Sequence, residues 1–281
     1  MNKLFLWILL SLMAAALTVW LLWSNFSVEV TGYTVTHPNI PQPFSGYRIV
    51  QVSDLHNCRY GKDNTRLLEL ISRENPDIIL ITGDMIDSRM TNTEIALAFA
   101  KEAVKIAPVY YVPGNHEARL EVYAQFRLQL AAEGVTLLEN TSLPLNKDDA
   151  HITLMGIVDP GFLPELPMEA YPQGVNSMLS CMKPEGYTIL LSHRPEFFEI
   201  YVSHGANLVF SGHAHGGQVR LRGIGGMYAP GQGFFPRYDA GLFTKGDTTM
   251  VVSRGVGSKV ILPRVNNRPE IVVVELLSSN G

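Results

Sequence analysis

Residues 48–56 read Arg48-Ile-Val-Gln-Val-Ser-Asp-Leu-His56. The first five suit a buried strand, and the last four break it while supplying a carboxylate and an imidazole. The same pattern recurs four more times. Asp77-Ile-Ile-Leu-Ile81 runs into Thr82-Gly-Asp84-Met-Ile-Asp87, and Val109-Tyr-Tyr-Val112 runs into Pro113-Gly-Asn115-His116-Glu117. Thr188-Ile-Leu-Leu191 runs into Ser192-His193, and Asn207-Leu-Val-Phe210 runs into Ser211-Gly-His213-Ala-His215. One polar strand terminus means little. Five of them, holding five of the eight histidines, point to a shared site at the carboxyl edge of a sheet, where α/β folds bind ligands.

Outward from these runs the chain alternates β-branched apolar segments with helical periodicity, which argues for an α/β fold. Strands are expected at 48–52, 77–81, 109–112, 136–139, 152–157, 187–191, 207–210, 218–221, 248–253 and 270–276. Helices are expected at 64–74, 93–106, 117–133, 175–182 and 195–203. The late strands follow one another without long helices, so part of the sheet structure should be antiparallel or mixed. No repeat or low-complexity tract interrupts the domain, placed at 47–281.

The amino terminus is of another kind. Leu4 to Trp23 carries no charge, and a helix of about 20 residues crosses a hydrocarbon core of about 30 Å. The run exceeds a signal-peptide h-region and shows no Ala-x-Ala end, while Trp20 and Trp23 suit a membrane interface. Residues 1–25 thus read as an uncleaved anchor, with a long signal peptide as the alternative. Lys3 on the short side places the tail in the cytoplasm and the domain outside by the positive-inside rule. Residues 26–46, with three prolines from Pro38 to Pro43, read as an extended linker. A net charge of −4 with no Lys/Arg run argues against nucleic acid as a partner. Cys58 and Cys181 form no metal motif and read as buried thiols, or as a pair in an oxidising compartment.

The Asp, Asn and His side chains at the five strand ends supply some seven candidate ligands. Seven are too many for one structural zinc, which takes four. They suit two ions sharing a carboxylate, and mixed imidazole, carboxylate and amide donors favour Mn, Fe, Zn or Co over calcium. Two such ions clamp the attacking and leaving oxygens of a displacement at phosphorus.

Asp54-x-His56, Gly83-Asp84-x-x-Asp87, Gly114-Asn115-His116-Glu117, His193 and Gly212-His213-x-His215 together resemble the calcineurin-like metallophosphoesterase signature. The resemblance implies a four-layer α/β/β/α sandwich of mixed sheets. It implies one metal site on Asp54, His56, Asp84 and His215 and a second on Asp84, Asn115, His193 and His213. It also implies hydrolysis by a hydroxide held between the ions. His116 is implied to stabilise the transition state or protonate the leaving oxygen, and Asp87 to orient His116, although Asp87 also reads as a helix N-cap or turn residue.

The anchor, with Gly212-His-Ala-His-Gly-Gly-Gln-Val-Arg220 and Tyr228-Ala-Pro-Gly-Gln-Gly-Phe-Phe-Pro236, is similar to a bacterial membrane-associated branch. Its members hydrolyse simple phosphodiesters or the pyrophosphate of UDP-2,3-diacylglucosamine in lipid A synthesis. No arginine pair precedes the apolar run, so twin-arginine export is not implied. Ser88 stands where protein phosphatases of the superfamily carry arginine, which argues against a protein substrate.

Several residues stay open. Asn57, Arg59 and Arg194 read equally as phosphate contacts or as loop residues, Cys58 as a soft ligand or as packing, and Glu117 as a first-turn acid. The Gly- and aromatic-rich segment 221–254 reads as a rim gripping an apolar substrate or as cover for a sheet edge. The alternative to catalysis is a non-catalytic metal-binding scaffold of the same fold.

Overall fold

A computed structural model describes residues 3–163, 166–257 and 263–279. Helix α1 spans Lys3–Phe26, followed by β1 (Glu29–His37), β2 (Tyr47–Val52), α2 (Thr65–Arg73), β3 (Ile78–Ile81), α3 (Glu94–Ala103) and β4 (Val109–Tyr111). Then come α4 (Tyr123–Ala132), β5 (Thr136–Leu137), β6 (Thr141–Lys147), β7 (Ala150–Gly156), α5 (Tyr171–Ser180), β8 (Thr188–Leu191), α6 (Phe198–Ser203) and β9 (Leu208–Ser211). Two short hairpins follow, β10 (Arg220–Leu221) with β11 (Gly225–Gly226) and β12 (Tyr228–Ala229) with β13 (Gly233–Phe234). Strands β14 (Gly241–Lys245), β15 (Thr248–Val252) and β16 (Glu270–Ser278) end the domain.

The strands build two six-stranded sheets, ordered β1-β16-β2-β3-β4-β5 and β14-β15-β9-β8-β7-β6. Strands β2 to β5 run parallel in the first, and β7, β8, β9 and β15 run parallel in the second. Antiparallel pairs β16/β2, β6/β7 and β14/β15 make both sheets mixed.

Central strands such as Ile78-Ile-Leu-Ile81 are apolar on both faces because both faces are covered. Ile49, Leu80 and Val274 meet Leu154, Ile189 and Phe210 between the sheets. On the outer faces, Leu67, Phe99 and Phe126 pack onto the first sheet, and Val175, Leu179 and Phe198 onto the second. Each fully buried side chain of this size contributes roughly 1.5–3 kcal/mol. The result is the expected α/β/β/α sandwich, and it brings the carboxyl ends of β2, β3, β4, β8 and β9 to one seam.

Three expectations change. Residues 26–46 are not a linker throughout: β1 pairs in parallel with β16 from Glu29↔Glu270 to His37↔Ser278 and belongs to the sheet. Val35 is the one buried residue of β1, so an edge strand gave little hydrophobic signal. Edge strands β6 and β14 were hidden for the same reason, and Pro144 within β6 is tolerated at an edge. The helix expected at 117–133 is broken, with a 3-10 turn at Glu117–Arg119, extended Leu120, then α4.

Helix α1 is the one described helix long and apolar enough to cross a membrane. Within it only Ser24 and Asn25 are buried. Cys58 is half-buried and Cys181 exposed rather than buried; no disulfide joins them.

Candidate metal centre

The seam is sewn by polar contacts between the sheets. Buried Gln51 on β2 donates through Nε2 to the Thr82 hydroxyl and to the Ser211 carbonyl, both at 2.9 Å. His193, after β8, sets Nδ1 2.7 Å from the Thr82 carbonyl. A carbonyl only accepts, so the Nδ1 proton is fixed there and Nε2 turns to the site.

All seven expected ligands converge, and none is more than 7% exposed. Asp54, His56 and His215 form one cluster and Asp84, His193 and His213 another, each with donor atoms within 4.8 Å of one another. In the first, the Nε2 atoms of His56 and His215 lie 3.3 Å apart, with Asp54 Oδ1 at 3.7 and 3.4 Å from them. In the second, His193 Nε2 lies 3.3 Å from Asp84 Oδ2, 3.1 Å from His213 Nδ1 and 3.2 Å from Asn115 Oδ1. Asp84 Oδ2 is also 3.6 Å from His56 Nε2, so one carboxylate oxygen faces both clusters.

The donors fit a borderline divalent ion. Asp54 Oδ1 is buried without a hydrogen-bond partner, an arrangement that costs about 1–3 kcal/mol unless a cation answers it. Its other oxygen accepts from Ser53 Oγ at 2.6 Å and from the His213 N–H at 3.1 Å, which fixes the carboxylate plane.

The backbone is strained at the donors. Asp54, His56, Asp84, His213 and His215 have φ of 55°, 47°, 54°, 64° and 49°. Left-handed backbone costs a non-glycine residue roughly 1–2 kcal/mol. Such strain clusters at functional sites and is held by surrounding contacts. Glycine serves close approach instead: a Cβ on Gly114 would sit 2.3 Å from Asp84 Oδ1, and one on Gly212 would sit 1.9 Å from Ser53 Oγ.

Electrostatics follow from burial and the two aspartates. Asp54 is held below the usual carboxylate range: burial pushes it up, but the imidazoles of His215 and His56 outweigh that. Asp84 behaves likewise, with His193 as the dominant opposing group. Burial lowers the His193 pKa and the Asp84 charge raises it; the charge wins and takes it to about 10. His213 is driven down, by burial first and the Arg194 guanidinium second.

His116 lies beside the clusters, with Nε2 4.0 Å from Asp84 Oδ2. Its Nδ1 accepts the Ser88 backbone N–H at 2.9 Å, which leaves the proton of the neutral ring on Nε2, toward the site. Asp87, expected to orient this ring, stands next to it without a direct hydrogen bond. The Asp87 carboxylate is 3.6 Å from Nδ1, outside hydrogen-bonding range, and is gripped by Arg89 at 3.0 and 2.5 Å.

Sequence reasoning also missed Glu117. Its fully buried carboxylate accepts the N–H groups of Asp84, Ile86 and Gly114 at 2.8, 3.0 and 2.8 Å, bracing two ligand turns. Burial and the Asp84 charge push its pKa to about 7. Its place directly after His116 was the available signal, but periodicity assigned it to a helix.

Arg194 is a brace. It pairs with Asp159 at 2.6 Å and Glu196 at 3.2 Å and lies 5.3 Å from the Tyr171 ring centre. Asn57 donates to the Met90 carbonyl at 2.6 Å, Cys58 packs on the core beside α2, and Arg59 is exposed.

The family model of the calcineurin-like phosphoesterases matches residues 47–217. An uncharacterized metallophosphoesterase of Bacillus subtilis, YkuE, is 29% identical over 257 residues, covering 90% of this chain and 87% of its own. Phosphodiesterase YaeI of Escherichia coli is 27% identical over 241 residues, 82% of each chain. A transmembrane protein with a metallophosphoesterase domain from Danio rerio is 28% identical over 261 residues, covering 88% of this chain and 57% of its own. The matched span contains every strand terminus that feeds the seam, and on that ground the chain belongs to the calcineurin-like phosphoesterase family, as a metal-dependent phosphoric ester hydrolase.

Proposed function

We propose that this protein is a membrane-anchored, dinuclear phosphoesterase acting on phosphodiester or pyrophosphate bonds. The observation that carries it is Asp84 Oδ2, 3.3 Å from His193 Nε2 and 3.6 Å from His56 Nε2, a carboxylate oxygen facing both ligand clusters. Asp54, His56, Asp84 and His215 would hold one ion, and Asp84, Asn115, His193 and His213 the other. Bound divalent cations lower the pKa of water and neutralise charge building on a phosphoryl group.

The protein's own part is to orient and to donate. Thr82 fixes the His193 tautomer, Ser53 fixes Asp54, and Glu117 braces both turns. His116 presents an Nε2 proton, suited to protonate a leaving alkoxide or phosphate oxygen. A lipid-linked nucleotide such as UDP-2,3-diacylglucosamine is the specific substrate that would combine an anchor, an apolar rim and a pyrophosphate. The domain is read as extracytoplasmic from Lys3, which weighs against that cytoplasmic nucleotide sugar and favours a phosphodiester on the outer side.

Turnover of bis(p-nitrophenyl) phosphate with manganese, compared with His116→Ala, tests the reading. Full metal occupancy without turnover in the unsubstituted protein would favour the scaffold alternative.

A further inference from the structure

Helix α1 ends in a clamp on the domain. Asn25 Oδ1 accepts the Arg264 backbone N–H at 2.7 Å, while Asn25 Nδ2 and Ser24 Oγ donate to the Arg264 carbonyl at 3.1 and 3.3 Å. Arg268 donates to the Ser27 carbonyl at 3.1 Å and lies 4.5 Å from the Trp23 ring centre. The buried Arg264 guanidinium in turn donates to the carbonyls of Arg254, Gly255 and Gly257. A helix held this way sets which edge of the domain faces the bilayer it enters.

The same strap holds β10. The Val265 carbonyl accepts the Arg220 N–H at 3.0 Å, and Asn266 Nδ2 donates to the Arg220 carbonyl at 3.4 Å. Residues 264 and 266 are separated by two residue steps, at most about 7 Å. The hairpins that begin there present Leu221, Ile224, Tyr228, Phe234 and Phe235 at 39%, 64%, 50%, 73% and 61% exposure. Arg222 is exposed beside them.

They are fixed, not trailing. The Gly226 N–H and the Arg220 guanidinium donate to the Asp239 carboxylate at 2.5 and 2.9 Å, and Gln232 exchanges two hydrogen bonds with the Tyr238 backbone. Arg220 also donates to the Gly216 carbonyl at 3.1 Å, and Asn267 to the His215 carbonyl at 2.7 Å. The helix end, the apolar edge and a ligand turn are therefore one connected body. Large apolar and aromatic side chains with arginine, next to an apolar helix, are the composition of a membrane–water interface.

We propose that the β10–β13 edge seats in the interfacial layer of the bilayer entered by α1, so that the centre works on phosphoesters borne by lipids of that leaflet. The proposal rests on the anchored-phosphoesterase reading above. Its test uses the full chain with Cys58→Ala and Cys181→Ser, carrying Ile224→Cys, Phe234→Cys or Leu128→Cys and a bimane label.

Leu128 is exposed on α4, which packs at the β5 end of the first sheet, opposite β1. The proteins are reconstituted in phosphatidylcholine–phosphatidylglycerol vesicles with acyl chains brominated near the headgroup. Quenching at 224 and 234 should be at least threefold that at 128, and equal quenching at the three positions overturns the proposal. Failure to float with the vesicles overturns it together with the anchor. Turnover of soluble bis(p-nitrophenyl) phosphate by the same samples reports on the metal centre separately.

Discussion

The backbone N–H of Ser88 points at Nδ1 of His116 across 2.9 Å, and so a main-chain group, not a carboxylate, chooses the tautomer of the ring beside the metal centre. A backbone donor cannot be removed by a side-chain change, which makes the consequences separable.

His116→Ala should lower kcat by roughly 10²- to 10⁴-fold, the usual worth of a positioned acid or base, with metal content unchanged. Ser88→Ala keeps the N–H and should stay within about threefold. Asp87→Asn should also be mild, because Arg89 is its bonded partner. Steady-state kinetics alongside metal analysis decide this; an Asp87→Asn loss as deep as that of His116→Ala would return the orienting role to the carboxylate.

Asp84→Ala removes the oxygen that faces both clusters. Metal content by elemental analysis should fall by at least one equivalent, and activity by more than 10³-fold. Retention of full metal content would break the bridging assignment.

Gly212→Ala places a Cβ 1.9 Å from Ser53 Oγ and 2.4 Å from Asp54 Oδ2. Overpacking of this kind costs about 1–3 kcal/mol, read as a lowered Tm, and metal uptake should weaken as well. Adding Ser53→Gly should recover part of the Tm but not the metal, since the Asp54 contact remains and loses its hydroxyl donor.

The metal-stripped protein should lose stability as pH rises. The His193 pKa stands at about 10 when folded, against 6.5 ordinarily. Its contribution is complete below pH 6.5 and is lost as pH climbs toward about 10, by on the order of 5 kcal/mol. Metal competes with the same proton at Nε2, so metal affinity should rise with pH over that window. Denaturant midpoints with and without chelator test the sign, and a stripped protein that gains stability from pH 7 to 9 contradicts it.

Glu117→Gln should cost more than a first-turn acid would, because three N–H groups lose a carboxylate acceptor. We expect a destabilisation of about 1–3 kcal/mol with weakened metal binding, measured by thermal unfolding and titration.

The central strands and the donors after them were legible in the sequence because both are local. A strand buried on two faces is mostly apolar, and a metal ligand needs a donor side chain such as Asp, His or Asn wherever it points. The strand ends thus pointed to Asp54, His56, Asp84, Asn115, His193, His213 and His215 as donors, with the family resemblance setting them apart from His116 and Asp87 at the same ends. Edge strands β1, β6 and β14 were not legible, because half-exposed residues carry little hydrophobic pattern; for β1 the partner strand also lies far away, β16 some 240 residues on.

The tertiary structure alone decided what the local pattern cannot contain. Which nitrogen of His193 or His116 keeps its proton depends on the Thr82 carbonyl and the Ser88 N–H, brought near by packing of separate segments. The inward turn of Glu117 and the placing of α1 against Arg264 were settled in the same way. Residue type is written along the chain, whereas the direction of a hydrogen bond depends on neighbours that only folding supplies.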